Sequence, residues 1–364
     1  MGKNAFIILG NGFTIDFLDH LFKKYPQKKD KIDVQNLFRL GDLIRNPWEH
    51  KPSFLSYRDL PNLWTLGANP GNTSKESNSL IEQIITCSNM FVAFLHNPAS
   101  SGRSELLTKS KKSIYLKAYC ELMTYFRTLF VWYNNNISDK EINHFCSTSD
   151  WAWLKCIKSL TKKYDKVVFV TYNYDIWLER ILKCMKIPFS MKGFDSKGKK
   201  IEIIKPHGSI SFVLKTPTPK FTISYNLDPT EKDISSLKIQ KEFKRFEESV
   251  IIPPAGDSIR LTEHSSVEKS SCVGESWAET LRNAVLEEAK SISSSDDVVL
   301  CGMSYWHVDR REIDELLLHL NPDVNFTFVN PNPPKTLNAV LMSIFKNYIQ
   351  KNSSDGIQGV LDGN

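Results

Sequence analysis

Hydrophobic positions fall into short unbroken apolar runs that alternate with helically spaced ones. Phe6-Ile7-Ile8-Leu9 is such a run and reads as a buried strand. Gly10-Asn11-Gly12 follows, and then Ile15, Leu18, Leu21 and Phe22 recur at helical spacing. Asn-Gly between apolar runs is also a hairpin signal, but the spacing over 13–22 is helical, so strand–loop–helix is the reading. Val167-Val168-Phe169-Val170 is a second strand, ending in Thr171-Tyr172-Asn173-Tyr174-Asp175 ahead of a helix over 176–185. A third strand, 201–205, ends in Pro206-His207-Gly208-Ser209. A fourth, 298–301, ends in Gly302-Met303-Ser304 before a helix over 309–320, and a fifth, 325–329, ends in Asn330-Pro331-Asn332.

The intervening chain has a different pattern. Residues 23–31 are charged and turn-like, while 66–80 and 97–111 read as loops rich in Gly, Ser, Asn and Lys. Helices are expected over 80–94, 113–133 and 149–164. The 113–133 helix carries Leu116, Tyr119, Met123, Phe126, Phe130 and Tyr133 on one face, a stripe that suits core or subunit contact rather than a cofactor. Residues 214–275 are polar and irregular. Ser276-Trp277-Ala278-Glu279 is a capping box opening a further helix. The expected organisation is a core from 1–30 and 160–350, a mainly helical insertion over 31–159 and a flexible tail over 351–364. Alternating strands and helices predict an α/β protein, a Rossmann-like parallel sheet with flanking helices plus a helical insertion. Ligands of such sheets sit at the strands' carboxyl ends, where every polar cluster named above falls.

Composition narrows the class. With 364 residues, 41% hydrophobic and 24% charged, the chain is globular rather than disordered or fibrous. The net charge of +6 permits anionic partners without demanding them. The Lys-rich runs 109–112 and 197–200 read as solvated faces, and no aromatic–basic pattern of an RNA module is present, so direct nucleic-acid binding is not expected. No apolar run approaches the ~20 residues of a membrane span, and Ala5–Leu9 is too short for a signal segment. A cytoplasmic protein is expected. The cysteines number seven, with no Cys-x-x-Cys, so neither a zinc ribbon nor a redox dithiol is available and no metal is expected.

Taken singly, each cluster has two readings. Gly10-Asn11-Gly12 at a helix N-terminus suits a pyrophosphate or a plain turn. Asn173 and Asp175 suit helix capping. His207 is held between a residue that fixes the backbone and one without a side chain, which suits an imidazole displayed at a strand end. Gly302, Ser304 and Asn330 suit either a nucleotide cradle or turn chemistry.

Taken together, the order Gly-rich turn, Thr-x-Asn-x-Asp, His-Gly, Gly-x-Ser and strand-Asn resembles the sirtuin-like (silent information regulator 2-like) family, in particular its bacterial anti-phage NAD-hydrolase domains. Gly10 to Phe13 is also similar to the opening of the abortive-infection H family. The resemblance covers 5–20, 165–213 and 275–333. It implies that Asn173 orients water and the nicotinamide ribose, that Asp175 lines the nicotinamide pocket, and that His207 acts as base on the ribose hydroxyls. Gly10, Asn11 and Gly12 would hold the pyrophosphate, Asp16 would belong to the nicotinamide-side loop, Thr171 and Gly302 would border the dinucleotide, and Ser304 and Asn330 would hold the adenosine half. The implied activity is NAD glycohydrolysis, releasing nicotinamide and ADP-ribose and depleting NAD in abortive infection. Such cleavage passes through an oxocarbenium-like state. Nicotinamide leaves neutral, so no general acid is required. The zinc module of deacylating relatives is absent, since Cys272 stands alone between His207 and Ser276. That argues against protein deacylation and for water as acceptor, with hydrolysis and cyclisation both open. The alternative is a module that senses NAD or ADP-ribose without turnover. Unrestrained, NAD glycohydrolysis would kill the host, so control by homo-oligomer assembly or by a partner defence protein, such as an ATPase/translocase or phage-sensing subunit, is expected.

Overall fold

The computed structural model describes residues 2–34, 38, 59–95, 113–216, 233–241, 243, 249–252 and 276–357. Its strands, in chain order, are β1 (Asn4–Leu9), β2 (Lys166–Thr171), β3 (Phe189–Met191), β4 (Ile201–Ile204), β5 (Gly208–Leu214), β6 (Leu237–Ile239), β7 (Ser249–Ile251), β8 (Asp297–Cys301), β9 (Asn325–Val329) and β10 (Asn347–Lys351). The α-helices are α1 (Asn11–Lys24), α2 (Pro61–Thr65), α3 (Ser74–Leu95), α4 (Ile114–Asn135), α5 (Asp139–Thr148), α6 (Ala152–Lys163), α7 (Trp177–Cys184), α8 (Trp277–Lys290), α9 (His307–His319) and α10 (Lys335–Ile344). Two compact units result. One is Met1–Pro26, Ile137–His207 and Thr280–Asn364; the other is Gln27–Asn136 and Gly208–Glu279.

The first unit is an α/β fold around a seven-stranded parallel sheet in the order β10-β9-β8-β1-β2-β4-β3, consistent with a Rossmann-like fold. The inner strands β1, β2 and β8 are buried on both faces, which is why they read as continuous apolar runs. Successive strands run outward from β1 to β2 and β4 on one side, and from β8 to β9 and β10 on the other. The reversal between β1 and β8 is a topological switch point. Register aligns Leu9 with both Thr171 and Cys301, so the turns after β1, β2 and β8 leave the sheet at one level.

The five expected strands are all present. The edge strands β3 and β10 and the helix α10 are additions. The expected tail is in part a sheet edge: β10 pairs with β9, a 3-10 turn follows at Ser354–Gly356, and Ile357 is buried. Residues 358–364 lie outside the described residues. Helix α5 opens with a full capping box, Ser138 with Glu141. At α8 the Ser276 hydroxyl accepts the Glu279 N–H at 3.3 Å.

The second unit combines α2, α3 and α4 with a three-stranded antiparallel sheet, β6-β5-β7. Tyr119, Met123, Phe126 and Tyr133 of α4 are buried, while Leu116 and Phe130 of the same stripe are half-buried. The Tyr133 hydroxyl donates to the Asp33 carbonyl at 2.6 Å. The units do not divide at the boundaries of the expected 31–159 insertion: 137–163 belongs to the first, and 208–279 to the second. Strand β5 was not foreseen. The expected loop at 97–111, the Lys run 109–112 and Cys272 lie outside the described residues. Among the described residues no helix is long and apolar enough to cross a membrane.

Candidate functional site

The turn after β1 is bound to the turn after β8. The Gly10 N–H donates to the Cys301 carbonyl at 2.9 Å, and the Gly12 N–H donates to the Gly302 carbonyl at 3.0 Å. Phe13 N–H donates back to the Gly10 carbonyl at 3.1 Å, and no side chain caps α1. Gly302 has φ +64, and a Cβ on Gly12 would stand 2.4 Å from its Cα. Three amides near the helix start are thus already bonded, which changes what Gly10-Asn11-Gly12 can offer a pyrophosphate.

Asn173 enters the site through a chain of hydrogen bonds. Its Nδ2 donates to the Gly10 carbonyl at 3.0 Å and to Thr14 Oγ1 at 3.1 Å. Thr14 Oγ1 in turn donates to Asp175 Oδ2 at 2.6 Å. Asp175 Oδ1 accepts the Trp177 N–H at 3.1 Å at the start of α7, so this buried carboxylate ties a loop and a helix together. Burial pushes the Asp175 carboxyl up, against the pull of Lys205, Thr14 and the Trp177 amide. Thr171 Oγ1 accepts the Asn173 N–H at 3.2 Å, which sets the turn out of β2.

Lys205 is 1% exposed, which is costly unless the charge is paired. It meets Glu179 at 2.9 Å and also donates to the Asp175 carbonyl. Two residues further on, His207 is 2% exposed. Its Nε2 lies 2.8 Å from Glu312 Oε2 on α9, and its ring stands edge-on to Tyr172, with centroids 4.9 Å apart. The second Glu312 oxygen is 3.6 Å from Arg282 Nε. Burial alone would raise Glu312, yet His207 and Arg282 overcome it and hold the carboxyl at about 2. Asp309, one turn earlier, is raised to about 6 by burial, and its Oδ1 is buried without a hydrogen-bond partner. The Tyr172 hydroxyl is likewise buried and unpaired.

Of the remaining candidates, Asn330 serves the turns. Asn330 Nδ2 donates to the Met303 carbonyl at 3.1 Å, and its Oδ1 accepts the Asn332 N–H at 3.0 Å, so this side chain holds the loops after β8 and β9 together. Ser304 is exposed. Asp16 accepts the Trp151 indole N–H at 2.8 Å and pairs with His20 at 3.4 Å. Asn173 and His207 therefore occupy the ends of neighbouring strands, with Tyr172 joining them. Thr14, Lys205, Arg282, Asp309 and Glu312 were not singled out from the sequence. Glu312 lies among Asp309-Arg310-Arg311, which reads as an ordinary charged helix face.

Among the described residues no group of three or more His, Cys, Asp or Glu side chains is placed to hold a metal ion. The fold is that of a Rossmann-like α/β protein. No protein-family model matches the chain, and no curated protein matches it either.

Proposed function

We propose that the chain is an NAD glycohydrolase that releases nicotinamide and ADP-ribose. The observation that carries this reading is the placement of Asn173 and His207 at the carboxyl ends of the paired strands β2 and β4, on the rim where a switch-point sheet takes its ligands. A Glu-paired imidazole can polarise a ribose hydroxyl, and an amide can place a water. The sirtuin-like resemblance supplies the substrate. Homo-oligomerisation and control by a partner protein complete the proposal, because unrestrained NAD loss would kill the host cell.

The near-complete burial of His207 favours a second reading, a module that binds NAD or ADP-ribose without turnover. Nicotinamide release from NAD by the purified protein, with Asn173→Ala and His207→Ala as controls, separates the two. Release that both substitutions abolish supports the hydrolase. Binding without release supports the sensor.

A further inference from the structure

We propose that Glu312 is a positioning residue for His207, fixing the imidazole with its proton on Nε2 and leaving the Nδ1 lone pair as the base. The base role rests on the glycohydrolase reading; the tautomer does not.

An ionised carboxylate only accepts hydrogen bonds, so the ring nitrogen facing it must carry the hydrogen. Burial works against the ionised form of Glu312, and the Arg282 guanidinium together with the hydrogen bond from His207 favours it. One carboxylate oxygen faces His207 at 2.8 Å and the other faces Arg282 at 3.6 Å, which opposes rotation of the group. The Tyr172 ring, at 72° to the imidazole, fixes the plane from another side. No described residue bonds Nδ1.

Beside the pair, the Tyr172 hydroxyl and Asp309 Oδ1 are buried without hydrogen-bond partners. The titratable and charged groups around the pair are Tyr172 at the end of β2, Arg282 on α8, and Asp309, Glu312 and Glu315 on α9.

The test is long-range proton–nitrogen NMR of the full-length protein labelled with 15N-histidine, with H207Q assigning the ring. The Nε2-protonated tautomer in the wild type, and a mixed or inverted signature in E312Q, is the expected result. An Nδ1-protonated ring in the wild type, or an unchanged signature in E312Q, overturns the proposal. Should E312Q fail to fold, R282Q, which frees the carboxylate to rotate, is expected to mix the tautomers instead. In the nicotinamide assay, E312Q should lower kcat by about 10²-fold, the size of a general-base contribution, with KM for NAD unchanged. E312D, which keeps the anion, should keep most of the activity. Equal loss of kcat in E312Q and E312D, or a loss carried by KM, argues for a merely structural pair and overturns the positioning role. A wild type that releases no nicotinamide sinks the glycohydrolase reading and the base role alone, and the spectrum still decides the tautomer.

Discussion

Gly12 and Gly302 meet backbone to backbone: a Cβ on Gly302 would stand 2.3 Å from the Gly12 Cα. This contact joins β1 to β8 at the point where the strand order reverses. Gly302 also has φ +64, where a side chain strains the backbone. Gly302→Ala is expected to cost about 2–4 kcal/mol from overpacking and strain. Urea denaturation checks this, and an unmoved midpoint would contradict it.

Thr14 is the link between Asn173 and Asp175. Thr14→Val keeps the shape but removes both hydrogen bonds. The expected loss is about 1–3 kcal/mol, the penalty for buried polar groups left unpaired. Nicotinamide release should fall with it, because the Asn173 amide loses one of its two anchors. Full release together with full stability would show that the Gly10 carbonyl alone holds the amide.

Lys205 and Glu179 form a buried pair, and Lys205 also donates to the Asp175 carbonyl. Lys205→Met leaves a buried carboxylate without its cation and should cost about 3–5 kcal/mol. The double variant Lys205→Met/Glu179→Leu should recover much of that, since apolar replacement of a buried pair is often neutral. A double variant as unstable as the single one would point instead to the lost contact with the Asp175 carbonyl.

Stability should respond to pH with opposite signs at two neighbouring carboxyls. Asp309 is raised from 3.8 to about 6, so the folded state holds its proton more tightly. Its contribution is complete below about pH 4 and is lost as pH rises towards 6. Glu312 is lowered from 4.5 to about 2, so its contribution is present above 4.5 and is lost as pH falls towards 2. Each is on the order of 3 kcal/mol by linkage. Denaturation at pH 4 and pH 7 should show a fall in the wild type that Asp309→Asn lacks. A parallel fall in both proteins would assign the effect elsewhere.

The legible parts of the fold were those buried on both faces. Val167-Val168-Phe169-Val170 is apolar at every position because helices cover the sheet on each side. The edge strand β10, Asn-Tyr-Ile-Gln-Lys, mixes polar and apolar residues and carries no such run. Strand β5 was hidden by Ser209 and Ser211, whose hydroxyls are buried and bond each other at 2.9 Å. In the site, Asn173 and His207 were legible because they lie in the short turns just past the ends of β2 and β4. Their partners were not, since Glu312 lies 105 residues beyond His207 and Thr14 lies 159 residues before Asn173. Only the fold brings such pairs together.

The turn amides of Gly10, Gly12 and Phe13 already donate to main-chain carbonyls. A diphosphate arriving there would gain little from them, so on the proposed NAD glycohydrolase reading discrimination would pass to the sugar and the pyridine ring. Nicotinamide riboside, which has no phosphate at all, should then compete with the full dinucleotide at similar concentrations, and free pyrophosphate should hardly compete.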